Sequence, residues 1–110
     1  MENKQQDKFV TMISFARRSG KIIYGLDSLK NARNIKLLAV SDTASENLKR
    51  NMELIADKNE IPIVTAVQME NTVGNNVKAL GLTDVNMAKA VVDYVETTPA
   101  QYTIKYGRRR

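Results

Sequence analysis

Phe9, Met12, Ile13 and Ala16 recur at helical spacing while Lys8, Arg17 and Arg18 project elsewhere, which predicts an amphipathic helix over residues 6–19. Gly20 stops it. A short extended piece over 21–24 leads to Gly25, and 27–33 is expected to form a second, short helix with Asp27 as its cap. From Ile35 to Val40 the chain is apolar except at Lys36, as expected of a strand covered on both faces. Thr43 and Glu46 have the spacing of a capping box, and Leu48, Met52, Ile55 and Ala56 supply the buried stripe of the helix that follows. Residues 61–67 read as a second apolar strand, in which Pro62 is tolerable only at the start. A short helix over 68–73 then leads through Gly74-Asn75-Asn76 to a third strand over 77–82. The final helix, 84–95, buries Ala88, Val91, Val92 and Val95.

Strands that alternate with helical patterns imply right-handed crossovers. The expected fold class is therefore α/β: a three-layer α/β/α sandwich around a mainly parallel or mixed sheet of about four strands. With 110 residues, 43% of them hydrophobic, the chain suits one domain with a single core, assigned to 1–96. Residues 97–110 contain Pro99 and alternate weakly at Tyr102, Ile104 and Tyr106, which fits either an edge strand or an extended tail ending in three arginines. The tail is the favoured expectation.

Composition narrows the chemistry. Cysteine and histidine are both absent, which removes disulfides, thiolate and imidazole metal sites, a histidine base and a Ser-His-Asp triad. No metal and no cofactor is expected. The first eight residues are polar, and no apolar run approaches the ~18 residues of a spanning helix, so neither a signal peptide nor a membrane is expected and a cytoplasmic location is. The net charge of +5 is unevenly spread: residues 1–36 balance at +5, 37–50 at zero, 51–104 at −4, and 105–110 at +4. A basic end opposite an acidic body steers a polyanion to one face.

The string Ala16-Arg17-Arg18-Ser19-Gly20-Lys21 resembles the end of a phosphate loop, but Phe15 stands where the first glycine is needed and Ile22 where Ser or Thr is needed. Nucleotide hydrolysis is not indicated. Arg17, Arg18, Lys21, Lys30, Arg33 and Lys36 can instead gather into a phosphate-binding patch around the turn at Gly25. That turn, Gly25-Leu26-Asp27-Ser28, places a helix N-terminus beside the cations; it is otherwise an ordinary capped turn. Asn75, Asn76, Val77 and Lys78 form either a plain loop or a second lip of the same site. Asp42 and Glu46, four residues apart, and Ser45 and Asp84 are the weak candidates for catalysis. Two phenylalanines and four tyrosines are too few for a platform on which a run of single-stranded bases stacks, which favours structured RNA.

The order of these elements, with Ala16-Arg17-Arg18-Ser-Gly-Lys21 followed by Gly25, then Leu38-Ala-Val-Ser-Asp42-Thr-Ala-Ser45-Glu-Asn47, Ile61-Pro62, and Leu82-Thr-Asp84 before Met87-Ala88-Lys89-Ala90, resembles a known family. It is the ribosomal-protein superfamily that includes the archaeal large-subunit protein "seven-Ae" and the eukaryotic "thirty-e", and the likeness is closest to its bacterial YlxQ-like branch. The resemblance runs from about Phe9 to Val95. It implies an α/β/α sandwich that binds RNA, often at kink-turns, without catalysis, through regions matching Gly25 to Asn31 and Asn75 to Lys78. Kink-turn readers carry Gly-Thr-Asn-Glu-x-x-Lys, whereas this chain has Gly25-Leu26-Asp27-Ser28-Leu29-Lys30-Asn31. Asp27 cannot donate to a base and repels nearby phosphate, which argues against kink-turn recognition. The expectation is a non-catalytic RNA-binding protein of ribosomal or RNA-processing context. The alternatives are a protein interaction module of the same fold and, behind it, a small enzyme or ligand-binding domain.

Overall fold

In the computed structural model, which describes residues 8–74, 76–98 and 101–106, the chain forms five helices and five strands. They are α1 (Lys8–Arg18), β1 (Ile22–Tyr24), α2 (Leu26–Asn31), β2 (Leu37–Ser41), α3 (Glu46–Asn59), β3 (Pro62–Ala66), α4 (Met69–Val73), β4 (Ala79–Leu82), α5 (Val85–Glu96) and β5 (Tyr102–Tyr106). The strands make one mixed sheet in the order β1-β4-β2-β3-β5. The fold is α/β, with one strand more than the sequence pattern indicates.

Strand periodicity splits the core in two. Leu37, Ala39, Val64, Leu80 and Leu82 face one side, where Phe9, Ile13 and Ala16 of α1 and Ala88, Val91 and Val95 of α5 cover them together with Met69 of α4. Leu38, Val40, Ile63 and Ala79 face the other, beneath Leu29 of α2 and Met52, Ile55 and Ala56 of α3. The result is the expected three layers.

Only β2 and β3 are parallel; β1–β4, β2–β4 and β3–β5 are antiparallel. Of the two arrangements expected, mainly parallel or mixed, the sheet is mixed, and connection length is the reason. The 14 residues of α3 rise about 21 Å, enough to return the chain along a five-residue strand of about 17 Å, so β3 starts level with β2. The five residues of α4 rise only about 7.5 Å. The chain therefore stays at the end where β3 finishes, and β4 runs back.

Two caps also differ from the pattern. Gly25, at φ 89° and ψ 147°, is the N-cap of α2 and contributes no side-chain bond, so Asp27 lies inside the first turn and is not the cap. Ser45, not Thr43, caps α3, its hydroxyl accepting from the Leu48 amide at 3.1 Å. Residues 102–106 are an edge strand, not a tail. Tyr102 is buried between Phe9 (ring centroids 5.2 Å apart) and Tyr94 (5.7 Å), and the Tyr106 hydroxyl donates to Glu96, which holds its pKa above the usual phenol value. Aromatic packing on α1 and α5 anchors a segment whose alternation alone is weak.

At the centre of β4, Gly81 lies under α2. A Cβ built there would come within 2.7 Å of Leu29 Cδ2, 3.2 Å of Ile35 Cγ2 and 3.3 Å of Leu38 Cδ2, all side chains buried in the α2–α3 layer. Gly81→Ala is therefore expected to lower the unfolding free energy by about 1–3 kcal/mol, measured by urea denaturation; an unchanged midpoint would mean that α2 shifts freely.

Candidate nucleic-acid interface

The C-terminus of α1 is closed by a pair of reverse hydrogen bonds: Gly20, at φ 71°, donates to the Arg17 carbonyl (3.2 Å) and Lys21 donates to that of Ala16 (2.9 Å). This end requires the glycine. It leaves Arg17 and Arg18 in the last turn, where the helix dipole favours cations, and drops Lys21 directly into β1. The Lys21 carbonyl accepts from Thr83, and the Lys36 amide donates to the Leu82 carbonyl at 2.7 Å. Lys21 and Lys36 therefore both stand at the end of the sheet where β1 and β2 begin and β4 finishes, here termed the basal end. Because α2 runs down to that end, Arg33, between α2 and Lys36, arrives there too.

Arg17, Arg18, Lys21, Arg33 and Lys36 are all exposed, and none pairs with a carboxylate among the described residues. Asp84 shares this end but is occupied, its carboxylate accepting from the amides of Asn86 (2.7 Å) and Met87 (3.1 Å) as the cap of α5. Asp57 and Glu60, from the end of α3, stand further along, beside the start of β3. Among the described residues, the half of the basal end formed by β1, β4 and the start of β2 thus carries five exposed cations against the single carboxylate of Asp84, a net positive surface.

The other predicted residues lie at the opposite, apical end. The Gly25 amide donates to the Ala79 carbonyl (3.1 Å) and the Ser41 amide to that of Lys78 (2.9 Å), which brings Gly25, Leu26 and Asp27 alongside Asn76, Val77 and Lys78. Asn75 lies outside the described residues. Leu26 packs on the α2–α3 core, and Asn31 is turned back on its own helix, its amide donating to the Asp27 carbonyl at 3.1 Å. Lys30 lines a hollow of about 360 Å³ between α2 and α3 with Leu54 and Lys58. The expectation that the cations between Arg17 and Lys36 gather around Gly25 is corrected: they gather, Lys30 apart, but β1 separates them from Gly25, and its three residues span about 10 Å.

Sequence reasoning missed the polar cluster that fixes the apical end. Ser41 is fully buried; its hydroxyl donates to Glu70 Oε1 (2.5 Å) and accepts from the amides of Met69 and Thr43 (both 3.2 Å). The Thr43 hydroxyl donates to Glu70 Oε2, also at 2.5 Å. With both hydroxyl protons on one carboxylate, every polar site on Ser41 is used. The Ser41 hydroxyl first, then that of Thr43, holds the Glu70 carboxyl down from 4.5 to about 2, and the Lys78 charge adds to this. The available signal was Ser41 itself, a lone hydroxyl ending an otherwise apolar strand.

The weak catalytic candidates all have structural partners. Asp42 accepts from the Gln68 amide (2.9 Å), Ser45 and Asp84 are helix caps, and Glu46 lies 3.7 Å from Lys49 rather than beside Asp42. Among the described residues no three carboxylates converge on a point that could hold a metal ion, and no helix is long and apolar enough to cross a membrane.

No family model and no curated protein matches this chain. Ten solved chains resemble it in structure. One is a protein of unknown function from Bacillus halodurans C, with a TM-score of 0.66 and 14% sequence identity over 83% of this chain and 99% of that one. Such a likeness concerns the fold alone.

The Glu70 cluster has a pH signature. A carboxyl whose pKa is depressed by folding adds stability that is full above its unfolded value near 4.5 and is lost as pH falls through about 2. Glu70→Gln is expected to be less stable than the parent at pH 7, with the difference shrinking between pH 5 and about pH 2; urea titrations across that range check it. A difference independent of pH would place the effect elsewhere. Ser41→Ala, which strands the buried Met69 amide and takes the acceptor from the part-buried Thr43 amide, is expected to cost about 1–3 kcal/mol.

Proposed function

We infer that this chain is a non-catalytic RNA-binding protein that holds structured RNA, of ribosomal or RNA-processing origin, by its phosphates at the basal end of the sheet. The observation that carries this is the set of five exposed cations, Arg17, Arg18, Lys21, Arg33 and Lys36, with no carboxylate partner among the described residues. A solvated charge pattern is ordinarily laced with opposite charges, as at Lys49–Glu46 and Lys105–Glu53. Here the helix end, the edge strand and the start of β2 deliver like charges to one place, which costs repulsion unless a polyanion relieves it.

The resemblance to the "seven-Ae"/"thirty-e" superfamily supports the same reading, and so does a three-layer fold of the kind it implies. The apical region, Gly25 to Asn31 with Asn76 to Lys78, is the weaker contact. Asp27 stands at the head of α2, and the Glu70 carboxylate shares this end with Lys78, so the local charge is mixed. The absence of cysteine suits a reducing cytoplasm, where such RNA resides.

Binding of structured ribosomal RNA is expected at low salt, in an electrophoretic shift assay. With about four phosphate contacts, a fourfold rise in salt is expected to lower affinity by about two orders of magnitude. Arg17→Glu with Arg18→Glu is expected to weaken binding at least tenfold and flatten the salt dependence while the variant stays folded, with only a small drop in melting temperature from placing anions at the C-terminus of α1. No complex at low salt would overturn the RNA assignment, whereas unchanged affinity of the double variant would move the site away from the basal end.

A further inference from the structure

Between α1 and α5, on the sheet face opposite α2, lies an open hollow of about 390 Å³, within the lower range of pockets that accept small ligands, about 300–1,000 Å³. Met12, Met87, Ala90 and the ring of Phe15 give it a mainly apolar lining, to which Thr11, Arg18 and Asn86 add polar groups. Phe15 is 53% exposed, whereas Phe9 on the same helix is wholly buried. Among the described residues no carboxylate lines the hollow, and the Asn86 side-chain amide makes no hydrogen bond.

We propose that this hollow receives one unstacked base of the bound RNA, with Phe15 as its stacking surface. The inference rests on the basal end being the RNA site. A nucleotide has a flat apolar face joined to a phosphate, and this surface offers the complement. An exposed ring stands in an apolar hollow, an unengaged amide can meet a base edge, and Arg18 leads directly to Arg17 and Lys21 for the backbone. An apolar partner helix would fill the apolar lining equally well but would leave Arg18 unmatched, so charge complementarity selects the nucleotide. A single ring serves one base and not a stacked run, which is consistent with the low aromatic content and with a folded RNA that extrudes one nucleotide.

The test uses the full chain and two short RNA hairpins, identical except that one carries a single bulged adenosine. The parent protein is expected to prefer the bulged hairpin about tenfold, toward the low end of base–aromatic stacking. Phe15→Leu is expected to abolish that preference while leaving affinity for the paired hairpin unchanged, and Phe15→Trp to retain it. Ring-labelled phenylalanine gives NMR signals from Phe9 and Phe15 only, and those of Phe15 alone are expected to move upfield with the bulged hairpin. Equal affinity of the parent for both hairpins, or a preference that survives Phe15→Leu, overturns the proposal while leaving phosphate binding intact. Failure of both hairpins to bind at low salt removes the RNA assignment and this inference with it. A parent dimer that Phe15→Leu converts to a monomer in sedimentation would assign the hollow to self-association, and that too would overturn it.

Discussion

The antiparallel insertion of β4 between β1 and β2 fixes where every charged group of interest stands. Leu82 pairs with both Ile22 and Leu37, so Lys21 and Lys36, each one residue earlier, are brought to either side of one strand end although 15 positions separate them in the chain. Leu80 pairs with Tyr24 and Ala39, which places Gly25 and Lys78 together at the other end. A strand has two ends and they cannot share a surface. The cationic patch and the glycine turn, neighbours in sequence, are consequently two sites.

That register depends in turn on a short connection and a missing side chain. The single turn of α4 cannot carry the chain back along the sheet, so β4 enters reversed; Gly81 lets α2 approach closely enough to lie across it. The Ser41 hydroxyl, donating to Glu70 and accepting from the Met69 amide, holds α4 against the end of β2. Removing these devices would loosen the loop before β4 and the head of α2 together, while the basal cations, anchored by the α1 terminus and the β1–β4–β2 register, would keep their place.

Much of this was legible in the sequence. Helical periodicity gave Phe9, Ile13 and Ala16, and Ala88, Val91 and Val95, as buried stripes; the apolar run ending at Val40 and the position of Pro62 gave β2 and β3. What escaped depended on partners distant in the chain. Residues 102–106 become a strand because Tyr102 meets Phe9 and Tyr94, contacts that no local pattern encodes. Ser45 rather than Thr43 caps α3 because Thr43 is drawn to Glu70, 27 positions away. Arg17, Arg18, Lys21, Arg33 and Lys36 stand at the end of the sheet where β1 begins and not at the Gly25 end, since sequence proximity to Gly25 says nothing about which way a three-residue strand carries the chain.

The account turns on RNA meeting the basal end and not the apical one. Lysine acetylation footprinting, with structured ribosomal RNA present and absent and the modified sites read by mass spectrometry, tests this directly, because Lys21 and Lys36 mark one end and Lys78 the other. Protection of Lys21 and Lys36 with Lys78 still reactive is the predicted result. Protection of Lys78 with Lys21 and Lys36 unchanged would contradict it.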